Sequence, residues 1–182
     1  GLATHQFKRL NFPTKQEQHL LASFCPEQMR NINVLRNSGN NEKEASAKTM
    51  IERHVDHTRV ELEWLGEGSL ADGIIRPRSE SSIDAWLGIQ VKSTSKQYGR
   101  AWVFSHTLGY SGLLVMLVAL DDKLVWTIPG HSIDVADISV RHGGRWDSYR
   151  SRWDDISCDL VQAWSSFDQY LRKPAEIWKA PR

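Results

Sequence analysis

Cysteine is almost absent from this chain. Only Cys25 and Cys158 occur among 182 residues, far apart, so a disulfide framework and a cysteine metal site are both excluded. Such sparse use points to a reducing, intracellular setting, cytoplasm or nucleus. Long apolar runs are lacking as well. The longest, Gly112 to Leu120, falls far short of the roughly 20 residues that a membrane helix needs. A soluble chain without a membrane partner is expected, and no secretory signal pattern is visible. There is no excess of either charge, the formal net being +1. The total therefore argues neither for nor against nucleic acid, and a local basic face would have to decide. No internal repeat or low-complexity segment stands out.

What is present is an ordinary globular composition, 40% apolar and 25% charged, long enough for a real core. The eight tryptophans are many for this length; most are expected in the core and a minority at a binding surface. The organisation expected is a single domain overall: an arm and helix over residues 1–41, then a core over residues 42–182 ending in a helix.

Along the chain, Thr14 and Glu17 have the spacing of a capping box, and Leu20, Leu21 and Phe24 follow as an apolar face until Pro26. The polar run RNSGNN at 36–41 is a connection. A second helix is predicted from Glu42 to His54, with Ala47, Met50, Ile51 and His54 on one side and an acidic first turn facing the positive end of its dipole. Thr58 to Leu65 alternates Val60, Leu62 and Trp64 with Arg59, Glu61 and Glu63, the pattern of a half-buried strand. Leu113 to Leu120 reads as a fully buried strand, and Asp121-Asp122 turns it into a further strand, Lys123 to Ile128, stopped by Pro129-Gly130. His142 to Arg145 is a turn. A C-terminal helix begins near Asp154, with Ile156, Leu160, Trp164, Phe167 and Leu171 at helical spacing until Pro174. A mixed sheet with helices on both faces follows, hence α/β or α+β.

The stretch with chemistry in it is Leu70 to Ser95. It reads as two strands joined by a polar connection, the first carrying Asp72, the second Gln90 and Lys92. Alternation puts Ile89 and Val91 on one face and Gln90 and Lys92 on the other. Hydrolysis of a phosphodiester needs an activated water and counter-charge for the transition state, and a divalent cation supplies both. Mg²⁺ prefers hard oxygen ligands. The Asp72 carboxylate, the Gln90 amide oxygen and the Val91 carbonyl are such ligands, and Lys92 can polarise the attacking water. Asp84 is an alternative carboxylate, but it lies too near Gln90 in sequence to face it from a neighbouring strand.

A carboxylate, then a polar oxygen ligand, one residue and a lysine resembles the PD-(D/E)XK nuclease superfamily, the restriction-endonuclease-like fold. The likeness covers roughly residues 42 to 128, with AWLGIQVKSTS as the catalytic strand, and is similar to viral and intron-encoded, homing-type members. It implies a restriction-endonuclease-like core, a central mixed β-sheet flanked by α-helices. It also implies a Mg²⁺-dependent endonuclease of homing, mobile-element or restriction type that cleaves DNA, with Mn²⁺ able to substitute. Glu44 would be the further acid from the preceding helix. Two departures stand out. Glutamine replaces the usual acid at residue 90, so Glu44, Glu61 or Glu63 would have to compensate. The usual helix after the lysine strand has at best a short counterpart in residues 96–112. A binding module that kept the fold but lost catalysis is the alternative.

For DNA contact the candidates are Lys96 and Arg100, just beyond the lysine strand, with Arg145 and Arg150 in a basic aromatic cluster that includes Trp146, Arg152 and Trp153. Packing at the start of the last helix accounts for that cluster equally well. Because one site cuts one strand, double-strand cleavage implies a homodimer or higher homo-oligomer. Zinc at His54 and His57 is disfavoured, solvation being the commoner state of such a pair.

Overall fold

Six consecutive residues, Leu114–Ala119, are buried on both sides of one strand, β5. A strand with no polar side has to be covered on both faces, and the remainder of the fold supplies the cover. This is a computed structural model, and it describes residues 41–80 and 82–179. Chain contacts divide the protein into two units, Gly1–Glu42 and Lys43–Arg182. The readings at Thr14, Glu17, Leu20, Leu21, Phe24, Pro26 and Cys25 lie outside the described residues.

Helix α1 spans residues 41–54. It is followed by β1 (Val60–Trp64), β2 (Gly73–Pro77), β3 (Leu87–Thr94), β4 (Ala101–Phe104), β5, β6 (Leu124–Pro129), β7 (Ile138–Arg141), β8 (Arg150–Ser151), α2 (Ile156–Ser166) and α3 (Ala175–Trp178). The main sheet runs β1-β2-β3-β5-β6-β8, and β4 pairs with β7 in a separate ribbon. Only β3 and β5 are parallel in the main sheet; its other neighbours are antiparallel. The fold is therefore a mixed α/β arrangement on a central six-stranded sheet.

Alternation along β5 sets the two layers. Leu114, Met116 and Val118 meet Ala47, Ile51 and Val55 of the α1 region and Ile156 and Leu160 of α2. The buried residues of α1 recur at intervals of four, which puts them on one face of the helix. Val115, Leu117 and Ala119 meet Trp102, Phe104, Trp126, Ile138 and Val140. The two longer helices thus share one face, and the ribbon covers the other. Near β2 and β3 that second face is closed by Trp178 of α3 with Ala71, Ile74 and Leu113. Each fully buried aliphatic side chain in these layers contributes about 1.5–3 kcal/mol relative to exposure.

Several boundaries differ from the sequence expectation. Thr58 and Arg59 do not join β1. The Asp56 carboxylate accepts both the backbone N–H of Thr58 at 3.0 Å and its hydroxyl at 2.6 Å, a local turn that competes with the strand. The last helix stops at Ser166, well before Pro174. Ser165 and Ser166 donate back to the carbonyls of Val161 and Gln162, and Phe167 leaves the helix in extended backbone. Phe167 nevertheless reaches the core, so its helical spacing to Trp164 reflected burial by another route. Residues 96–112 hold no helix; they hold β4. Its burial pattern, with Val103 alone exposed, is the alternation of a half-covered ribbon.

Candidate functional site

The first acidic candidate lies one residue outside a strand. Asp72 precedes β2, and its backbone is held from two sides. Its N–H donates to the Ile89 carbonyl at 3.0 Å, and its carbonyl accepts the Leu65 N–H at 2.8 Å. Gly73 and Ile89 are the last registered pair of β2 and β3, and Asp72 lies one residue beyond it, still tied to Ile89 through its N–H. Here β2 and β3 part. Beyond Ile89 the β2-facing edge of β3 has no strand partner, and the Asp72 Oδ2 fills the first vacancy by accepting the Val91 N–H at 2.7 Å. In an extended strand the N–H and C=O of one residue leave by the same edge. The Val91 carbonyl therefore belongs to the edge that Asp72 occupies.

The alternation expected of β3 is present. Ile89 and Val91 are buried, while Gln90 and Lys92 are half-buried. In the parallel pairing, Gln90 sits beside Val115 and Lys92 beside Leu117, on the ribbon-covered face. Lys92 Nζ donates to the Tyr110 hydroxyl at 3.0 Å and lies 4.9 Å from the ring centroid. The Gln90 side chain has no hydrogen-bond partner among the described residues.

Burial pushes the Asp72 carboxyl above its ordinary range. The Val91 N–H opposes that shift, the Glu44 charge adds to it, and the charges of Lys48 and Lys92 oppose it. Glu44 of α1 is itself paired with Lys48, one turn on, at 2.9 Å, and Lys48 lies over the Trp64 ring at 5.6 Å. Two segments remote from Asp72 in sequence, α1 and β3, thus act on its carboxyl group.

The other acids proposed as compensation are engaged elsewhere. Glu61 binds Arg76 Nε at 2.7 Å and Arg78 at 3.4 Å, and Glu63 pairs with Lys179 at 3.3 Å. Of the three compensating acids only Glu44 acts on Asp72. Asp84 is exposed in the connection between β2 and β3. Among the described residues no three His, Cys, Asp or Glu side chains converge as a metal cluster. The oxygens that could hold a cation here are one carboxylate, one amide and one backbone carbonyl. That hard, weakly charged set suits an ion that keeps several waters and does not suit zinc. An acid raised by desolvation beside a second acid fits such an ion, because a cation would relieve both.

The basic candidates divide. Lys96 and Arg100 are exposed. Arg145 pairs with Asp134 at 3.0 Å and stacks on Trp146 at 4.1 Å. Arg150 binds Asp147 through Nε and NH2 at 2.9 and 2.8 Å and leans toward Trp126. Asp147 also accepts the Trp126 indole N–H at 3.1 Å and the Gly143 N–H at 2.9 Å; burial works to raise its carboxyl, but these contacts and Arg150 together hold it low. Arg150 therefore closes a packing network at the ribbon layer, the bland account of that cluster. Trp153 donates to the Lys123 carbonyl at 2.9 Å. His54 bonds the Met50 carbonyl and His57 that of Glu52, so the two rings serve their own helix end.

Two residues at the site were not legible from the sequence, Tyr110 and Lys48. Tyr110 lies in the crossover before β5, and nothing in its neighbours signals a partnership with Lys92. Lys48 had a weak signal, its spacing of four from Glu44.

No protein-family profile matches the chain, and no curated protein matches it. Among solved structures, one of a bacterial homing endonuclease aligns at 17% sequence identity with a TM-score of 0.47, over 68% of this chain and 96% of that one.

Proposed function

We propose that this chain is a metal-dependent nuclease of the restriction-endonuclease-like kind, acting on DNA. The observation that carries the reading is the meeting of Asp72 and the β3 edge. A desolvated carboxylate stands where β2 leaves β3 and accepts the N–H of Val91, the residue between Gln90 and Lys92. In this reading Asp72, the Gln90 amide oxygen and the Val91 carbonyl hold Mg²⁺ or Mn²⁺, with Glu44 adding negative charge from α1. When bound, the ion supplies a lowered water pKa and charge neutralisation at the phosphate. The chain's own residues do the rest. Asp72 is fixed by the Val91 N–H and is already partly dehydrated. Lys92, steadied by the Tyr110 hydroxyl, orients the attacking water and faces the charge that grows on the phosphate oxygens. Phosphate contacts supply much of the affinity, which should fall steeply with salt. A double-strand cut calls for two copies of the site, and hence a symmetric dimer or larger assembly.

The test is cleavage of supercoiled plasmid with Mg²⁺ or Mn²⁺ by the parent and by Lys92→Ala. Nicking by the parent, lowered about 10²–10³-fold in the variant, is expected from loss of one preorganised cationic group. A parent that binds DNA yet never cuts with either ion favours a second reading, a binding module without catalysis. That alternative draws on the amide at residue 90 and on the single carboxylate at the β3 edge. A parent that neither binds nor cuts removes both readings.

A further inference from the structure

Beyond Thr94 the lysine strand runs into a short loop whose tip is Tyr98. This tyrosine is 82% exposed, and its hydroxyl has no hydrogen-bond partner among the described residues. The loop that carries it is built tightly. Tyr98 and Ala101 exchange two backbone hydrogen bonds, at 2.8 and 3.1 Å. Between them Gly99 has φ +63°, the left-handed backbone that a two-residue hairpin turn needs at its first central position. A bulky aromatic ring is thus held out into water by a fixed turn, with most of its apolar surface exposed.

Three cations lie on this hairpin and the strand beside it. Lys96 and Arg100 flank Tyr98 in sequence. Arg141, at the end of β7, lies on the other side of Ala101, which pairs with Tyr98 on one edge and with Arg141 on the other. All three are exposed, and among the described residues none has a carboxylate within ion-pair reach. They differ in this from Arg145 and Arg150, which are neutralised. Two acids of the β5–β6 turn touch the neighbouring segments: Asp121, whose N–H donates to the Ser95 carbonyl at 2.8 Å, and Asp122, whose carboxylate takes the Trp102 indole N–H at 2.6 Å. The neutral indole leaves the Asp122 charge in place, so Asp121 and Asp122 are two opposing charges against the three cations. Lys96 follows Lys92 by four residues, at most about 14 Å along the chain.

We infer that the Lys96–Arg100 turn together with Arg141 is a clamp for one strand of nucleic acid. Tyr98 stacks on an unpaired base, and the three cations hold the phosphates on either side. Exposed aromatic faces take any base by stacking, and flanking cations track the backbone without reading sequence. An acidic protein surface would satisfy the cations but give a fully exposed ring no flat partner. The inference extends the nuclease reading, placing strand capture next to the candidate site, yet it concerns binding and needs no metal.

The test is fluorescence anisotropy of a labelled single-stranded oligonucleotide with the full chain in EDTA, over a series of salt concentrations. Tyr98→Ala should weaken binding about ten-fold or more with an unchanged salt slope, and Tyr98→Phe should bind like the parent. Lys96→Ala, Arg100→Ala and Arg141→Ala should each flatten the log–log salt slope by about 0.7. Thermal melts matching the parent's are expected, because all four side chains are exposed. Parent-like binding by Tyr98→Ala, or competition by polyglutamate equal to that by the unlabelled strand, overturns the clamp. Plasmid cleavage separates the two ideas. Cutting that persists with a Tyr98-independent affinity leaves the nuclease reading and removes the clamp. Tyr98-dependent binding without any cutting does the reverse.

Discussion

The Asp72 carboxylate takes the Val91 N–H at 2.7 Å, and this bond marks the point at which β2 and β3 separate. A side chain stands there in place of a strand. The last backbone bond of the pairing, from Asp72 N–H to the Ile89 carbonyl, and the first side-chain bond beyond it come from the same residue. Asp72 is thus both the end of a ladder and the start of the candidate site. Its backbone is fixed by the fold, and its carboxyl is partly stripped of water.

A pH dependence follows for the metal-free chain. The folded state binds the Asp72 proton more tightly than the unfolded state, because the carboxyl is raised by burial. Stability with respect to this group therefore falls as pH rises from the ordinary aspartate range to the raised folded value, and is level above it. Asp72→Asn keeps an oxygen for the Val91 N–H and removes the charge. In urea with EDTA its midpoint should exceed the parent's at pH 7, and the two should converge in acid. Equal midpoints throughout would mean that desolvation of Asp72 carries no weight.

The contact between Lys92 and Tyr110 makes a separate prediction. Tyr110→Phe deletes the hydroxyl that accepts from Nζ at 3.0 Å and leaves the ring in place. Hydrogen bonds to charged groups are worth about 1.5–3 kcal/mol before water takes over the vacancy. Single-turnover cleavage should slow about ten-fold, with an unchanged melting temperature. A parent-like rate would reduce Tyr110 to a packing residue.

Gly130 tests how the Tyr110 loop is seated. Its N–H donates to the Leu113 carbonyl at 2.8 Å. A Cβ built there would penetrate the Tyr110 carbonyl and come within 2.8 Å of Leu113 O. Both obstacles are backbone and cannot rotate away, so Gly130→Ala should destabilise by about 1–3 kcal/mol or more. Gly66→Ala is the control. A Cβ there meets nothing within 4 Å, and its effect should stay within about 0.5 kcal/mol. Denaturant midpoints with matched slopes check both.

The order of helix and strands around the candidate site was legible because each element carries its own period. Ala47 and Ile51 recur at helical spacing; Val60, Leu62 and Trp64 alternate, as do Ile89 and Val91 against Gln90 and Lys92. Those patterns record which face meets the core, and burial follows them. The reading failed where local chemistry overrode the period. Asp56 drew Thr58 out of β1, paired serines closed α2 early, and Trp102 and Phe104 built a ribbon in place of a helix.

By itself the sequence determined the hydrophobic faces, the strand bearing Gln90 and Lys92, and the choice of Asp72 as the acid to watch. Only the tertiary structure decided that Glu61 serves β2 and Glu63 pairs with Lys179 just beyond α3, that Glu44 acts on Asp72, that Tyr110 holds Lys92, and that Ala101 links the Tyr98 turn to Arg141. The difference is physical. A side chain's face is set within a few residues by backbone periodicity, whereas its partner is set by the crossing of distant segments, and no local spacing encodes that.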